Sequence, residues 1–388
     1  MGKIKLGIIG IGNMGSNYAA KVTNGECPDF ELVAVADVNP ARIQWAKENL
    51  KDTVKLFATA EEMLDSGMLE ACMVETPHYV HPHYAMECMK RGIHVMIDKP
   101  AGVYTKQVRE MNECAKQHPE VVFGVMFNQR TNCVYKKMRE LVQSGKYGSI
   151  RRTNWIITDW YRPQVYYDSG SWRATWAGEG GGVLLNQSPH QLDLWQWICG
   201  MPKKVYANMK FGKWHDIEVE DDVTCFVEYE NGATGTFITT TGDACGSNRF
   251  EVQMDKAKLL VEHNQLHVWE FEMTEQEFSK TNKSPFGYPK AQEIELDLDG
   301  SNPQHVGVIN AWGKAILEGK PLIADGAEGI NGLMLSNAMH LSGFTGKMVE
   351  LPFDEDLFYE ELQKRVQSSK EKEHVVEITA KMDQSWRR

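Results

Sequence analysis

Hydrophobic positions in the first third of the chain form short runs, and each run is followed by a polar stretch with helical punctuation. The runs that predict β-strands are residues 4–9, 31–36, 69–74, 94–97 and 121–126. Strands that alternate with helices in this way are typical of βαβ units and a parallel sheet. The first third therefore predicts a doubly wound α/β domain.

Helix signals occupy the stretches between these runs. Asn39 has the residue type of an N-cap and precedes Pro40, which suits the first helical position because it lacks an N–H group. Thr59 and Glu62 have the spacing of a capping box, and Gly92 is suited to end a helix. These signals predict helical connections between the strands.

The alternation of strands and helices stops after about residue 128, because most of the later β-rich runs have no helix between them. These runs are residues 152–160, 205–211, 223–229, 234–241, 248–254 and 258–262. Asn231-Gly232, between two runs, predicts a hairpin because both residue types accept positive φ. Helices are predicted late, at 306–317 and 326–342. An open, mostly antiparallel sheet follows, so the fold class is α/β plus α+β.

The same change divides the chain, since 388 residues exceed what one hydrophobic core usually serves. We predict a Rossmann-type domain with a parallel sheet over residues 1–129 and a second domain over 130–370. Residues 371–388 are polar and are predicted to form a tail or an interaction arm.

Charge and cysteine usage narrow the class of protein. The formal net charge of -11 argues against nucleic-acid and anionic-membrane partners, which need a concentrated basic surface. The eight cysteines are scattered without C-x-x-C pairs, so they predict reduced packing residues and no metal site. Residues 1–3 lead directly into a strand, and no apolar run is long enough to span a membrane. We expect a cytoplasmic protein with a small-molecule partner.

A glycine motif lies where the first predicted strand meets its helix. It reads Gly10-Ile11-Gly12-Asn13-Met14-Gly15 and fits G-x-G-x-x-G. Gly10 permits the tight turn, Gly12 allows backbone to approach a pyrophosphate, and Gly15 lets the helix pack on the strand. Asn13 and Met14 open the helix, whose free N–H groups attract phosphates. The motif predicts a dinucleotide site.

Asp37 ends the second predicted strand, where a carboxylate accepts hydrogen bonds from a ribose diol and repels a 2′-phosphate. This favours NAD over NADP. Arg42 offers the alternative, because a nearby guanidinium could neutralise such a phosphate. The alternative to a dinucleotide site is a glycine-rich turn with no ligand, followed by a solvated aspartate.

Several further motifs follow in order. They are Glu75-Thr76-Pro77-His78 with His81, Asp98-Lys99-Pro100, Asn128 with Arg130, Gly180-Gly181-Gly182 through His190 to Asp193, Gly319-Lys320-Pro321 and Val349-Glu350-Leu351-Pro352. Together they resemble the glucose-fructose oxidoreductase, inositol dehydrogenase and MocA-like (Gfo/Idh/MocA) family over almost the whole chain, although Asp98 stands where the family usually has glutamate. The resemblance implies hydride transfer between NAD and a carbohydrate, with the substrate bound by the second domain. It also implies cofactor contacts from Thr76, Pro77, His78, His81, Asp98, Lys99 and Asn128, beside the glycine motif, Asp37 and Arg42.

Lys99 follows a predicted strand at its carboxyl end, the edge at which open α/β sheets bind ligands. There it can hydrogen-bond the reacting hydroxyl and stabilise the developing alkoxide, with Pro100 fixing the loop. The alternative is an ordinary surface lysine in a loop.

His190 is the candidate proton acceptor, because hydride loss from a carbinol requires the hydroxyl proton to leave. Ser188, Pro189 and Gln191 predict a helix start around it, with Ser188 as the N-cap. The positive end of that helix favours the neutral imidazole. Asp193 lies on nearly the same helical face and is predicted to orient the ring. Without the resemblance, a structural histidine would be the safer interpretation.

Asn186 departs from the family pattern, which commonly has an aspartate four residues before the histidine. An amide can hydrogen-bond a substrate hydroxyl but cannot take its proton. The surrounding segment, 181–187, looks more like the branch that oxidises glycosides, including at C3. We assign Asn186 to the catalytic group with Lys99, His190 and Asp193.

Aromatic and arginine residues crowd the segment before the glycine triplet. Aromatic faces pack on the C–H side of a pyranose, and arginine donates to hydroxyls or a carboxylate. The candidate substrate residues are Arg162, Trp172, Arg173 and Trp176, with Lys99, Asn186 and His190. The alternative is that half or more of these aromatic and arginine residues lie in the core or at a subunit interface.

Three function classes remain. The first is an NAD-dependent sugar or polyol dehydrogenase, the second an NAD-dependent glycosidase that oxidises only transiently, and the third a non-catalytic sugar or dinucleotide sensor. The presence of both Lys99 and His190 argues against the sensor. Because two late helices cannot cover so many strands, we expect a homodimer or homotetramer formed through the open sheet.

Overall fold

The computed structural model describes residues 2–372 and 375–376. Most of the predicted tail, residues 373–374 and 377–388, lies outside the described residues. No helix within the described part has both the length and the apolar character needed to cross a bilayer.

A six-stranded sheet forms the N-terminal domain. Its strands are β1 (Ile4–Ile9), β2 (Phe30–Ala36), β3 (Lys55–Phe57), β4 (Ala71–Val74), β5 (His94–Ile97) and β6 (Phe123–Val125). The order is β3-β2-β1-β4-β5-β6 and every pair is parallel, as in a dinucleotide-binding Rossmann sheet. This confirms the predicted parallel sheet, to which the structure adds β3.

Five α-helices follow the strands of this sheet. They are α1 (Asn13–Thr23), α2 (Pro40–Asn49), α3 (Ala60–Asp65), α4 (His81–Lys90) and α5 (Thr105–Gln117). Two of their predicted starts are confirmed, although the described chain shows only the Thr59 half of the predicted capping box. Asn39 caps α2 by accepting from the Ala41 N–H group at 2.9 Å, and Thr59 caps α3 by accepting from the Glu62 N–H group at 3.3 Å.

A nine-stranded sheet forms most of the remaining chain. Its strands are β7 (Ile150–Ile157), β8 (Lys204–Phe211), β9 (Glu220–Glu228), β10 (Thr234–Thr240), β11 (Asn248–Met254), β12 (Ala257–Glu262), β13 (Gln265–Phe271), β14 (Ala291–Glu293) and β15 (Val349–Glu350). The order is β14-β13-β12-β11-β7-β10-β9-β8-β15, and only the β7–β10 pair is parallel. This confirms the mostly antiparallel sheet, although β13, β14 and β15 were not predicted.

The β9–β10 hairpin is confirmed, but the conformation of its turn differs from the prediction. Only Gly232 has positive φ, at 81°, whereas Asn231 accepts the Ala233 N–H group with its side chain. The turn with two consecutive positive φ angles joins β12 to β13 instead, at His263 (51°) and Asn264 (57°).

Seven further helices complete the described part of the chain. They are α6 (Cys133–Gln143), α7 (Gln164–Asp168), α8 (Pro189–Cys199), α9 (Glu275–Thr281), α10 (Gln304–Glu318), α11 (Gly329–Thr345) and α12 (Glu355–Ser368). α8 and α11 pack together, and α8 lies on the inner face of the second sheet, where Trp195 stacks on Phe237 with 5.3 Å between ring centroids. α10 returns to the first domain, where Trp312 stacks on Phe30 at 5.1 Å and donates to the Val122 carbonyl.

Candidate active site

The glycine motif has the geometry that its three glycines predict. Gly10 has a φ of 86°, and a Cβ atom on Gly15 would lie 1.9 Å from the Gly10 oxygen. Gly12 differs, because nothing lies within 4 Å of the position that its Cβ would take. α1 begins at Asn13, and no side chain caps it. The loop therefore leaves backbone and the first N–H groups of α1 open to a phosphate-bearing ligand.

Asp37 lies against this loop at the carboxyl end of β2. Its Oδ2 atom accepts from the Ile11 N–H group and its Oδ1 atom from the Asn39 N–H group, both at 2.8 Å. A carboxylate held in this way keeps lone pairs for a ribose diol. Arg42 lies in the first turn of α2, and within the described chain its guanidinium forms no hydrogen bond or ion pair.

Buried polar atoms at the same edge of the sheet lack hydrogen-bond partners among the residues described. They are Asn13 Oδ1, Tyr18 Oη, Glu75 Oε1 and Oε2, Thr76 Oγ1, Asn128 Oδ1 and His190 Nδ1. Burial raises the pKa of Glu75 well above its usual value, and the Asp98 carboxylate raises it further. Unpaired buried groups are costly, and a nicotinamide riboside offers the donors and acceptors they need. The residues present therefore fit NAD.

Loops around the predicted cofactor residues are tied together by two histidines. His81 lies 2.8 Å from the Pro100 oxygen through Nδ1 and 2.6 Å from the Thr76 oxygen through Nε2. His78 Nδ1 lies 3.3 Å from the Glu179 oxygen in the second domain. Both rings are buried and join loops, and their predicted contact with the cofactor stays a prediction.

The other predicted cofactor residues lie on neighbouring loops. Pro77 starts the short 3₁₀ turn His78–Val80. Asp98 Oδ1 accepts from the Lys99 N–H group at 2.8 Å, and the Asn128 amide donates to Gln304.

Lys99 connects the two domains. It follows β5, and its ammonium donates to the backbone oxygen of Asn186 at 2.6 Å. Burial lowers the pKa of Lys99; Arg173 and Arg162 lower it further, while Asp98 opposes them. A lysine in such surroundings gives up a proton more readily than an exposed one.

His190 lies in the first turn of α8. Burial lowers the pKa of His190 well below its usual value, and nearby Lys99 and His305 add to the effect. The imidazole is therefore neutral near pH 7 and can accept a proton. The predicted helix start at Pro189 is confirmed, but the predicted capping by Ser188 is wrong, because its hydroxyl pairs with Thr239 at 2.9 Å.

Asp193 does not orient His190, so this prediction is wrong. Its two carboxylate oxygens accept from Arg130 at 2.8 and 2.7 Å, and Gln196 also donates to it. Arg130 donates in addition to Glu328 at 2.6 Å. The aspartate and arginine side chains are each only 1% exposed, so the pair belongs to the buried interior. The i, i+3 spacing placed both side chains on one face, but the bidentate arginine competes successfully for the carboxylate.

Asn186 is held by a carboxylate that the sequence did not reveal. Its amide group donates to Glu179, and its Oδ1 atom accepts from the Tyr166 hydroxyl at 3.4 Å. Burial raises the pKa of Glu179, while Arg173 and the N–H groups of Ala174 and Asn186 oppose that rise. Glu179 directly precedes the glycine triplet, which was the only available signal.

A second buried carboxylate fixes the backbone of the same loop. Glu220 accepts from the N–H groups of Gly182 at 2.8 Å and Leu184 at 3.0 Å, and it lies 3.0 Å from His340 Nε2. A Cβ atom on Gly182 would lie 2.0 Å from the backbone oxygen of Glu220, so this close approach requires glycine. The loop that carries Asn186 is therefore rigidly held.

Three of the four candidate substrate residues lie together. The Arg173 guanidinium lies 4.4 Å from the ring centre of Tyr166 and 4.6 Å from that of Trp172. The Arg162 guanidinium lies 5.1 Å from the ring centre of Tyr166. The rings of Trp172 and His78 contact each other edge to face. Cations stacked on aromatic rings are well ordered, and a guanidinium suits a polar ligand because it carries several N–H donors.

Trp176 is a core residue, so its predicted contact with substrate is wrong. It is 5% exposed and packs against Phe211, His340 and Phe344. Its indole adds to the interior of the second domain in the way the alternative interpretation expected.

Two family models match the chain. Residues 4–126 match the model described as the oxidoreductase family with an NAD-binding Rossmann fold, and residues 135–260 match the GFO/IDH/MocA C-terminal domain. The two matches cover the glycine motif, Lys99, Asn186 and His190.

Curated relatives include two proteins of known role. The myo-inositol 2-dehydrogenase of Thermotoga maritima is 24% identical over 268 residues, which are 67% of this chain and 75% of that protein. The rhizopine catabolism protein MocA of Rhizobium meliloti is 24% identical over 201 residues, or 52% of this chain, and the match spans 58% of MocA.

Solved structures of similar fold include a sugar-nucleotide complex. The WlbA dehydrogenase of Chromobacterium violaceum, in complex with NADH and UDP-GlcNAcA, is 27% identical with a TM-score of 0.78, over 91% of this chain and 97% of that chain. A levoglucosan dehydrogenase in complex with NADH is 18% identical with a TM-score of 0.72, over 91% of this chain and 100% of that chain, and shares the fold.

Proposed function

Since the chain belongs to the Gfo/Idh/MocA family of NAD-binding oxidoreductases, we propose that it transfers a hydride between a sugar or glycoside hydroxyl and NAD, with C3 of a pyranoside as the reacting position. The observation that carries this proposal is the meeting of Lys99 with the loop of Asn186 and His190. The first residue comes from the Rossmann domain and the others from the second domain.

The protein's own groups handle the proton and the charge. NAD, when bound, supplies the hydride acceptor. Lys99 hydrogen-bonds the reacting hydroxyl oxygen and stabilises the negative charge that develops on it. His190 accepts the hydroxyl proton on its imidazole ring, whose lowered pKa keeps it neutral. Asn186 holds the Lys99 ammonium through its backbone oxygen and offers its side chain to the substrate.

Support for a carbohydrate comes from the stacked group of Trp172, Arg173 and Tyr166. Aromatic faces suit the C–H side of a pyranose, and the guanidinium suits hydroxyls or an acid group. The WlbA dehydrogenase, with UDP-GlcNAcA bound, supports a sugar carried on a leaving group rather than a free polyol.

The test is to incubate the protein with NAD and a panel of free sugars and matched glycosides, following NADH absorbance and identifying products by NMR. An oxidised glycoside formed in equal amount with NADH supports the proposal. Release of aglycone without net NADH would favour the glycosidase alternative, and binding without turnover would favour the sensor.

We also propose that the protein forms a homodimer or homotetramer through the outer face of the nine-stranded sheet. Tyr206, Phe226 and Ile238 lie on that face and are at least partly exposed in the described chain. Light scattering that found a monomer at micromolar concentration would contradict this.

A further inference from the structure

We infer that Glu179 is a positioning residue that fixes the side-chain amide of Asn186, so that Asn186 presents its side-chain oxygen, a hydrogen-bond acceptor, to the substrate. The inference rests on the proposed function for its catalytic meaning. It assigns a role to a carboxylate that the proton and hydride transfers do not use.

The first observation is the acceptor at one end of a hydrogen-bond chain. Glu179 is 1% exposed, and its carboxylate accepts from the Asn186 amide and from the Ala174 N–H group. Arg173 and the Ala174 N–H group stabilise the ionised form of this carboxylate, which has no hydrogen to donate. The Nδ2 atom of Asn186 must therefore face Glu179, which turns Oδ1 to the opposite side.

The second observation is the donor at the other end. Arg173 donates to the Tyr166 hydroxyl at 2.8 Å, and Gln187 donates to the same oxygen at 3.1 Å. A guanidinium has no lone pair to accept with. Both acceptor positions of Tyr166 are thus filled, so its own hydrogen is left for Asn186 Oδ1 at 3.4 Å.

Glu179 can only accept a hydrogen bond, and the Tyr166 hydroxyl can only donate one. The Asn186 amide between them therefore has a single favourable orientation. A flipped Asn186 would set its oxygen against the Glu179 carboxylate and its N–H groups against the Tyr166 hydroxyl hydrogen. Each mismatch of this kind leaves a buried polar group without its hydrogen-bond partner, which is costly. The orientation follows from the chemistry of the partners.

The orientation matters because Asn186 also holds Lys99. Its backbone oxygen accepts from the Lys99 ammonium at 2.6 Å, which places the side chain beside the group that binds the reacting hydroxyl. A substrate hydroxyl that approaches Oδ1 must donate its hydrogen. An aspartate at this position would meet Glu179 with no hydrogen between them, and two buried carboxylates in contact cannot both stay ionised.

A charge swap tests the inference with Glu179→Gln, Asn186→Asp and the double variant. In the double variant the glutamine amide donates to the new aspartate, and the net charge equals that of the wild type. We expect Asn186→Asp alone to lower kcat/KM at least about tenfold and to lower the urea midpoint of unfolding, as one mismatched buried hydrogen bond should. The double variant should recover most of both losses.

NAD affinity, measured by fluorescence titration, should stay unchanged in all four proteins. Losses that simply add in the double variant, or an Asn186→Asp protein as active and stable as the wild type, would overturn the inference. If the wild type oxidised no sugar, the proposed function would fail, while the unfolding measurements would still decide how the amide is oriented.

Discussion

Replacing Asp193 by asparagine distinguishes a structural role for this carboxylate from a catalytic one. The structure pairs it with Arg130 through two hydrogen bonds of 2.8 and 2.7 Å. Asparagine keeps the shape but removes the charge, and it turns at least one N–H group toward a guanidinium that can only donate. We therefore expect a loss of stability and little direct effect on the chemical step.

The size of the loss follows from the burial of the pair. Removing one partner of a buried ion pair costs about 3–5 kcal/mol, because the other charge stays buried. Arg130 keeps a second partner, Glu328, at 2.6 Å, but that carboxylate is 43% exposed and therefore screened by water. The low end of the range, about 3 kcal/mol, is expected, which is a large share of a typical free energy of unfolding.

Urea unfolding followed by tryptophan fluorescence measures this loss, and the midpoint should fall by about 1 M without a change of slope. Asp52→Asn is the matched control, since Asp52 is exposed and its side chain has no hydrogen bond within the described residues. The kcat of the folded Asp193→Asn protein should stay within about threefold of the wild type. An unchanged midpoint together with a hundredfold lower kcat would refute the reasoning and return Asp193 to the catalytic group.

Lys99→Ala and His190→Ala should each lower kcat by about 10²–10⁴-fold with NAD affinity nearly unchanged, and near-normal turnover by His190→Ala would mean that the proton leaves by another route. Asp37→Ala should narrow the preference for NAD over NADP by about 1–3 kcal/mol in titrations, whereas a wild-type preference for NADP would implicate Arg42. Because burial lowers the pKa of His190 below its ordinary 6.5, the unfolded chain binds this proton first, so stability is lost as the pH falls below that value. The urea midpoint should therefore fall more between pH 7.5 and 5 in the wild type than in His190→Gln, and equal falls would contradict this.

Local patterns were sufficient for much of the fold. The caps at Asn39 and Thr59 depend on neighbouring residues only, and the glycine motif has a recognisable local spacing, and the structure contains all three. α12 was missed because its sequence is strongly charged and its helix depends on distant contacts. Phe358 and Leu362 are buried there, and Phe358 stacks near Phe344 of α11.

The candidate site also contains residues that local sequence patterns predict and residues that they do not. Lys99, Asn186 and His190 meet, as expected of residues that lie at the carboxyl ends of strands or at a helix start. Asp193 was misjudged because its partner Arg130 lies 63 positions away in the chain, and Glu179 was missed because its bonds to Ala174 and Asn186 depend on an irregular loop that no sequence periodicity describes. Spacing along one helix can place a carboxylate on a face, but it does not show whether the neighbouring imidazole or a distant guanidinium will bind it.

The return of α10 to the first domain affects the order in which the molecule can be completed during synthesis. Val308, Ile309 and Trp312 are buried in the same cluster as Phe30 and the residues of β1. The strands of the Rossmann sheet leave the ribosome well before this helix, so they wait with part of their apolar surface uncovered. A fragment that ended at residue 129 would have the strands and the nucleotide loop but not the indole ring that stacks on Phe30. The nucleotide domain is therefore not a detachable module, because the chain must be translated to about residue 318 before its hydrophobic interior can close.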